Sequence, residues 1–383
     1  MDGVEALVER AVGDRSPPVP TGWQEGLGPF LADLERSRTL APGARAGIER
    51  FAVGTLRARF AIEGWLAENP EAAAAPVERP LFILGMPRAG TTLLLNLLRH
   101  DPQRRVYWHW EGNREIPPAR TERLLDDPRI AVRAAEVEAM LDSGALPRNH
   151  HVELGDEPTE CNWILGQDFK AYPWLVQTIV PEYFEWLMHD ADMIAAYRYH
   201  RQVLRVLQSS APGRWTLKFP SHAMALSALL EIYPDARIVM THRDPIKPVA
   251  SSCSLVQQIL SLQNESVDRK AVGYQTLTIN LLGAQRMTAA RDANPSTQFH
   301  DMHYKAFIRD PMATIRALYA FEGMALAGDV EARMQAALYR QAAERQSAGV
   351  HHYRLEEYGL DAKGIGRAFG DYIERYQIEQ EGD

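Results

Sequence analysis

The sequence predicts an α/β fold with a central parallel sheet flanked by helices, on three observations. An apolar run at residues 81–84 ends in the turn Gly85-Met86-Pro87-Arg88-Ala89-Gly90, and Leu93, Leu94, Leu97 and Leu98 then recur at helical spacing. Two further short strand patterns, at 214–218 and 236–241, lie one helix apart, the spacing of a right-handed parallel crossover. Residues 297–302 read as a last strand. Around this core the chain divides into an N-terminal helical extension (1–75) and a main domain (76–383), with a helical, aromatic-rich insertion at 101–213.

Composition narrows the function. The chain has 383 residues, 46% hydrophobic and 24% charged, enough for one large α/β core or two smaller ones. A net charge of −8 argues against a nucleic-acid partner, whose phosphates need a basic face, but leaves room for a local basic pocket. Cys161 and Cys253 are too few for a disulfide framework or a zinc site, which fits a reducing cytoplasm. The first residues lack the basic-then-apolar pattern of a signal peptide. No apolar run approaches the roughly 18 residues of a membrane span, so no integral membrane contact is expected. Oligomeric state leaves no trace in the sequence.

Taken in order, the chain opens with helical patterns and no strand signal up to about Asn69. Pro42 and Pro70 bracket one amphipathic helix whose apolar face is Ile48, Phe51, Ala52, Leu56 and Phe60. Residues 71–76 read as a linker into the first strand. Strand, glycine turn and helix then aim backbone N–H groups and a positive helix end at an anion, a phosphate cradle in outline. The glycine spacing is that of G-x-x-x-x-G-K-[ST], but the lysine position holds Thr91 and the only cation of the turn is Arg88. The fold is therefore P-loop-like, with ATP hydrolysis the less favoured use.

Between His100 and Trp215 the chain is rich in Trp, Tyr and Phe. Most of these rings belong to a core, and their density points to a wall for an acceptor pocket. After residues 214–218 a helix follows that Ser221 is placed to cap. After residues 236–241, Asp244 is the expected N-cap and Pro245 the first helical residue of a helix running through Ser251. Asp310-Pro311 repeats the device.

These separated motifs resemble those of sulfotransferases that use 3′-phosphoadenosine 5′-phosphosulfate (PAPS), in the bacterial branch with the loop G-x-P-R-x-G-T-T. The resemblance runs from about Pro80 to Tyr376. It implies that Arg88, Ala89, Gly90, Thr91 and Thr92 bind the 5′-phosphosulfate, and that Arg243 and Ser251, eight positions on, bind the 3′-phosphate. Leu217-Lys218-Phe219-Pro220-Ser221-His222 resembles the family's K-x-x-x-H region. That makes His222 the base that deprotonates the acceptor, and Lys218 a partner of Arg88 on the sulfuryl oxygens. Tyr304, before the helix at Asp310-Pro311, matches the adenine-contacting tyrosine. Residues 351–360 resemble the branch's closing motif; His351 and Tyr353 stand where better-known relatives place a basic R-K-G segment over the nucleotide. The implied reaction moves a sulfuryl group in line to the hydroxyl of a small-molecule, lipid or glycan acceptor, with PAPS as co-substrate and no metal.

Elementary chemistry agrees. A sulfuryl group in flight resembles the metaphosphate-like species of phosphoryl transfer, so positioning and charge stabilisation dominate. A fixed arginine beside the bridging oxygen stabilises charge growing on the leaving phosphate. A histidine suits the base because it titrates near working pH. Glu111 and Glu160, in the insertion, are the competing acceptor-side carboxylates, and burial would have to raise them to act near neutrality. Other readings of the same cradle are a P-loop kinase or NTPase-like phosphoryl transferase, and a nucleotide-binding protein without catalysis.

Overall fold

The computed structural model describes residues 3–13, 22–144, 152–345 and 354–381, so His351 and Tyr353 lie outside the described residues. The chain forms two compact units, one from Glu78–Val106, Arg214–Leu255 and Arg269–Asp383, the other from Met1–Val77, Tyr107–Gly213 and Val256–Asp268.

The first unit holds the sheet. Its strands are β1 (Leu81–Gly85), β2 (Arg104–Arg105), β3 (Arg214–Lys218), β4 (Arg237–His242) and β5 (Phe299–His303). Their order is β2-β3-β1-β4-β5 and every pairing is parallel. β1 is buried at all five positions, which is why its sequence is an unbroken apolar run without alternation. The chain passes from β3 through a helix to β4 as expected, yet the two strands do not pair: β1 lies between them.

The short strand β2 carries no apolar signal. Its Arg104 is buried, with the guanidinium 2.5 Å from Glu322, 3.1 Å from Thr216 and 3.3 Å from the Tyr319 hydroxyl. Arg214 adds a second cation 3.0 Å from Glu322. Two adjacent arginines read as surface in a sequence; here a distant acid neutralises one of them inside the protein and a strand threonine accepts a further hydrogen bond from it.

At Asp310 the helix starts by the expected device, the carboxylate accepting from Ala313 at 2.9 Å ahead of Pro311–Glu322. Asp244 accepts from the Ile246 N–H at 3.1 Å, but the helix there spans Ile246–Ser261 and Pro245 lies just before it. Ser221 differs. The chain leaves β3 through a 3₁₀ turn, Pro220–Ala225, before the helix Leu226–Ile232. The capping position is Phe219, which has no side-chain oxygen, and Pro220 begins the turn, so Ser221 lies inside it.

The second unit is helical. The helix expected between Pro42 and Pro70 spans Ala44–Glu68, and the presumed linker after it begins instead as one more helical turn, Pro70–Ala74, with proline at its first position. Phe30 of the helix Gln24–Arg36 packs on Trp174 at 4.9 Å and on Tyr183 at 5.7 Å, and Trp174 stacks on Phe169 at 4.4 Å. The N-terminal helices and the aromatic stretch thus share one core. Trp110, Phe169, Trp174 and Tyr183 are fully shielded, while Trp163, Tyr172 and Trp186 are half-buried.

A polar chain threads this core. Arg59 meets Asp168 at 2.8 Å with its guanidinium 3.8 Å from the Tyr199 ring centre. Tyr199 donates to Gln167 at 2.6 Å, Gln167 donates to Glu115 at 2.8 Å, and the Tyr107 hydroxyl donates to Glu115 at 2.9 Å. Burial pushes the Glu115 carboxyl up from 4.5 to about 7 against these hydrogen bonds. A carboxyl with a raised folded pKa binds extra protons in the native state, so its contribution is lost as pH climbs from about 4.5 through about 7. Glu115→Gln is expected to flatten that slope in thermal melts between pH 5 and 8; an unchanged slope places the titration elsewhere.

Candidate active site

At the carboxyl end of β1 the chain turns against β4. Gly85 has φ 131°, and a Cβ there would sit 2.4 Å from the Thr241 carbonyl oxygen. Only glycine permits this approach, which the Thr241 hydroxyl closes by donating to the Leu84 carbonyl at 3.0 Å. Arg88, at the apex, adopts a left-handed φ of 63° and points its side chain outward, exposed. Such a conformation costs roughly 1–3 kcal/mol in a residue with a Cβ, and it persists where the surroundings hold it.

Gly90, φ 86°, is the N-cap of the helix Thr91–Leu98, and its carbonyl accepts from Leu94 at 3.0 Å. A Cβ on Gly90 would come within 3.1 Å of Phe307 and 3.3 Å of Tyr304. Geometry leaves the first N–H groups of that helix without partners inside it, facing the turn. Ala89 and Thr91 are buried and Thr92 is half-buried. Lys218 ends β3 opposite Ile83 of β1, is 1% exposed, and donates to the Thr92 hydroxyl at 3.4 Å. A buried ammonium beside a positive helix end is a combination an anion stabilises.

Arg243 follows β4 directly. It donates to the Arg88 carbonyl at 2.6 Å, and its guanidinium lies 3.9 Å from the Tyr304 ring centre. Its remaining donors fork onto both carboxylate oxygens of Glu381, at 2.6 and 2.7 Å. Burial works against the charge on Arg243, but the Glu381 hydrogen bonds together with the nearby Tyr304, Glu381 and Asp244 charges outweigh it and raise the pKa. Ser251 is buried in the helix Ile246–Ser261. The structure therefore gathers Arg88, Gly90, Arg243 and Tyr304 into one set of contacts, and joins Lys218 to Thr92.

His222 sits in the 3₁₀ turn after β3, fully buried, with its ring edge-on to Phe82 at 5.2 Å and Phe219 at 5.4 Å. Glu111 and Glu160 belong to the helical unit. Glu111 is buried and accepts from the Trp108 N–H at 3.0 Å, capping a short turn; Glu160 is half-buried ahead of the helix Asn162–Gly166, and its carbonyl accepts from Trp163 at 3.4 Å.

The residue that sequence reasoning missed is Glu381. The Glu381 N–H donates to Asp244 at 2.7 Å, and Lys305 donates to the Gln380 carbonyl at 2.7 Å. Upstream, the Tyr376 ring stacks on His242 at 4.2 Å, and the Tyr372 hydroxyl lies 3.1 Å from the same imidazole. His242 in turn meets Asp301 of β5 at 2.9 Å. Burial opposes the charge on Asp301, yet hydrogen bonds from His242 and Arg291 hold its carboxyl far below the usual range. No local pattern announces a pairing between residues 243 and 381.

A glycine cradle on the central strand of a parallel sheet, with an arginine just after the neighbouring strand, defines a P-loop-like α/β protein with positive groups gathered at the turn. Comparison with known proteins narrows this. A sequence model of the sulfotransferase family matches residues 80–328. The crystal structure of sulfotransferase STF9 from Mycobacterium avium is 36% identical and superposes with a TM-score of 0.91, covering 100% of this chain and 98% of that one. Sulfotransferase STF1 from Mycobacterium tuberculosis H37Rv is 28% identical with a TM-score of 0.82, over 97% and 98% of the two chains. Omega-hydroxy-beta-dihydromenaquinone-9 sulfotransferase Stf3 of Mycobacterium tuberculosis is 25% identical over 79% of this chain and 76% of its own. The chain belongs to the sulfotransferase family and is a sulfotransferase.

Gly85→Ala is expected to cost about 3 kcal/mol or more, because backbone and not a flexible tip blocks the new Cβ. Gly64→Ala, where a Cβ meets nothing within 4 Å, is the control and is expected to be neutral or stabilising. Equal melting temperatures for the two variants would contradict the close β1–β4 approach.

Proposed function

We propose that the protein transfers the sulfuryl group of PAPS to the hydroxyl of an apolar acceptor. The observation that carries this reading is the reach of Arg243 to the Arg88 carbonyl. It sets a guanidinium against the cradle, so that one nucleotide could touch both. The 5′-phosphosulfate is held by the backbone of residues 88–92 with the Thr91 and Thr92 hydroxyls, the 3′-phosphate by Arg243 and Ser251, and the adenine against Tyr304.

In this scheme the acceptor oxygen attacks sulfur as the bond from sulfur to the 5′-phosphate oxygen breaks. The acceptor proton passes to His222, and the products are the sulfate ester and 3′-phosphoadenosine 5′-phosphate. Arg88 and Lys218 stabilise charge gathering on the leaving phosphate and the transferring oxygens. The carboxylate of Glu381 makes with Arg243 the fork that a phosphate would make, so it marks the pocket and has to leave when the donor arrives.

The named relative Stf3 acts on an omega-hydroxy menaquinone derivative, a lipid with a hydroxyl, which supports an apolar acceptor here. Among the described residues no helix is long and apolar enough to cross a membrane. Cys161 and Cys253 are buried thiols outside any disulfide, which supports action in a reducing cytoplasm.

By calorimetry, Arg243→Ala is expected to weaken binding of 3′-phosphoadenosine 5′-phosphate about 10- to 100-fold, the worth of a charged, bidentate contact. Unchanged affinity removes Arg243 from the donor site. Glu381→Gln is expected to tighten the same ligand several-fold, and a loss of affinity would contradict the competition. His222→Ala is expected to keep nucleotide binding while turnover falls about 10²–10⁴-fold; retained turnover moves the base to a carboxylate.

A further inference from the structure

The acidic segment Glu379-Gln380-Glu381 holds two cations that leave neighbouring strands of the sheet. His242 at the end of β4 pairs with His303 at the end of β5, so Arg243 and Asp244 leave the sheet beside Tyr304 and Lys305. Glu381 forks onto Arg243. The carbonyl of Gln380, one residue earlier, accepts from the Lys305 ammonium at 2.7 Å, and the Glu379 carboxylate stands 3.4 Å from the same ammonium. Adjacent residues of one short stretch therefore grip both cations.

The two grips differ in strength. Arg243 makes a bidentate, partly buried contact. Lys305 is exposed and meets a neutral carbonyl and a solvated carboxylate, a pairing worth little. The stretch also has a defined place to part from the fold. Ile378 is buried and its N–H donates to the Ile373 carbonyl at 2.9 Å, while Gln377 turns the chain with a left-handed φ of 50°. Residues 379–381 can lift while Ile378 and the tyrosines upstream stay packed.

Charge balance decides what the pocket then lacks. Asp244 accepts from the Glu381 N–H and lies close enough to help hold the charge on Arg243. With Glu381 gone, Arg243 and Asp244 cancel. A phosphate monoester brings a charge of roughly −1.5 to −2 near neutrality, and Asp244 repels it. Lys305 is the cation that the departing segment sets free at that moment, a point charge with three donors on a flexible stem.

We propose that Lys305 is a second cation of the donor site, giving up the Gln380 carbonyl and Glu379 for the 3′-phosphate as Glu381 leaves Arg243. The inference rests on the sulfuryl-transfer reading above and adds a residue that makes the site select nucleotides phosphorylated at the 3′ position. One acidic segment masks both cations in the free protein, and one phosphate takes both over.

The test is calorimetric titration of the full chain with 3′-phosphoadenosine 5′-phosphate and with 5′-AMP. Lys305→Gln is expected to weaken the bisphosphate about tenfold and to leave 5′-AMP within about twofold of the parent. Lys305→Arg keeps the charge and is expected to stay within about threefold for both ligands. A lysine that only tethers the segment predicts the opposite sign, because its loss would free the pocket and tighten the bisphosphate. Unchanged or tighter binding in Lys305→Gln overturns the proposal, as does an equal loss for both ligands. Added to Glu381→Gln, where the competing carboxylate is already neutral, Lys305→Gln is expected to cost the same factor; no loss there also overturns it. A parent that binds the bisphosphate no better than 5′-AMP strikes the donor reading instead, whereas a parent that prefers the bisphosphate and an unaffected Lys305→Gln strike Lys305 alone.

Discussion

The site depends on how closely β1 approaches β4. Gly85 lets the two backbones meet at a distance no side chain would tolerate, and Thr241 fastens them with a hydrogen bond to Leu84. Because the strands are parallel neighbours, their carboxyl ends release the chain at one edge of the sheet. The turn of residues 86–90 leaves from one and Arg243 from the other. The hydrogen bond between Arg243 and the Arg88 carbonyl follows from that adjacency. A wider spacing at Gly85 would pull Arg243 away from the turn of residues 86–90.

Positive charge accumulates at this edge. Lys218 brings a buried ammonium from β3, the helix Thr91–Leu98 brings its positive end, and Arg243 brings a guanidinium braced on the Tyr304 ring. Such a concentration is costly unless an anion shares it, and here Glu381 does so at the arginine. The tail that supplies Glu381 is tied back to the sheet through His242, Tyr372 and Tyr376. On the proposed reading, this stretch of chain stands in for part of a nucleotide and leaves when the nucleotide arrives.

Much of this was legible from residues near one another in the chain. The strand-turn-helix around Gly85 and Gly90, the other long strands, and the aspartate caps at 244 and 310 are local signals, and local chemistry made them. Arg88, Lys218, Thr92, Arg243 and Tyr304 stood out by motif, and the structure brings them into contact in two sets. What stayed hidden depends on partners far away. β2 exists because Arg104 finds Glu322, the turn after β3 is set by Pro220 more than by Ser221, and Glu381 reaches Arg243 across most of the chain.

The central claim is that one ligand bridges the cradle and Arg243, so both phosphates of the nucleotide should be felt at once. Calorimetric titration with 3′-phosphoadenosine 5′-phosphate, 5′-AMP and adenosine 3′-phosphate measures this on the unaltered protein. The account predicts that the bisphosphate binds at least about tenfold more tightly than either monophosphate. Equal affinity for 5′-AMP and the bisphosphate would contradict it, because the group at the end of β4 would then not take part.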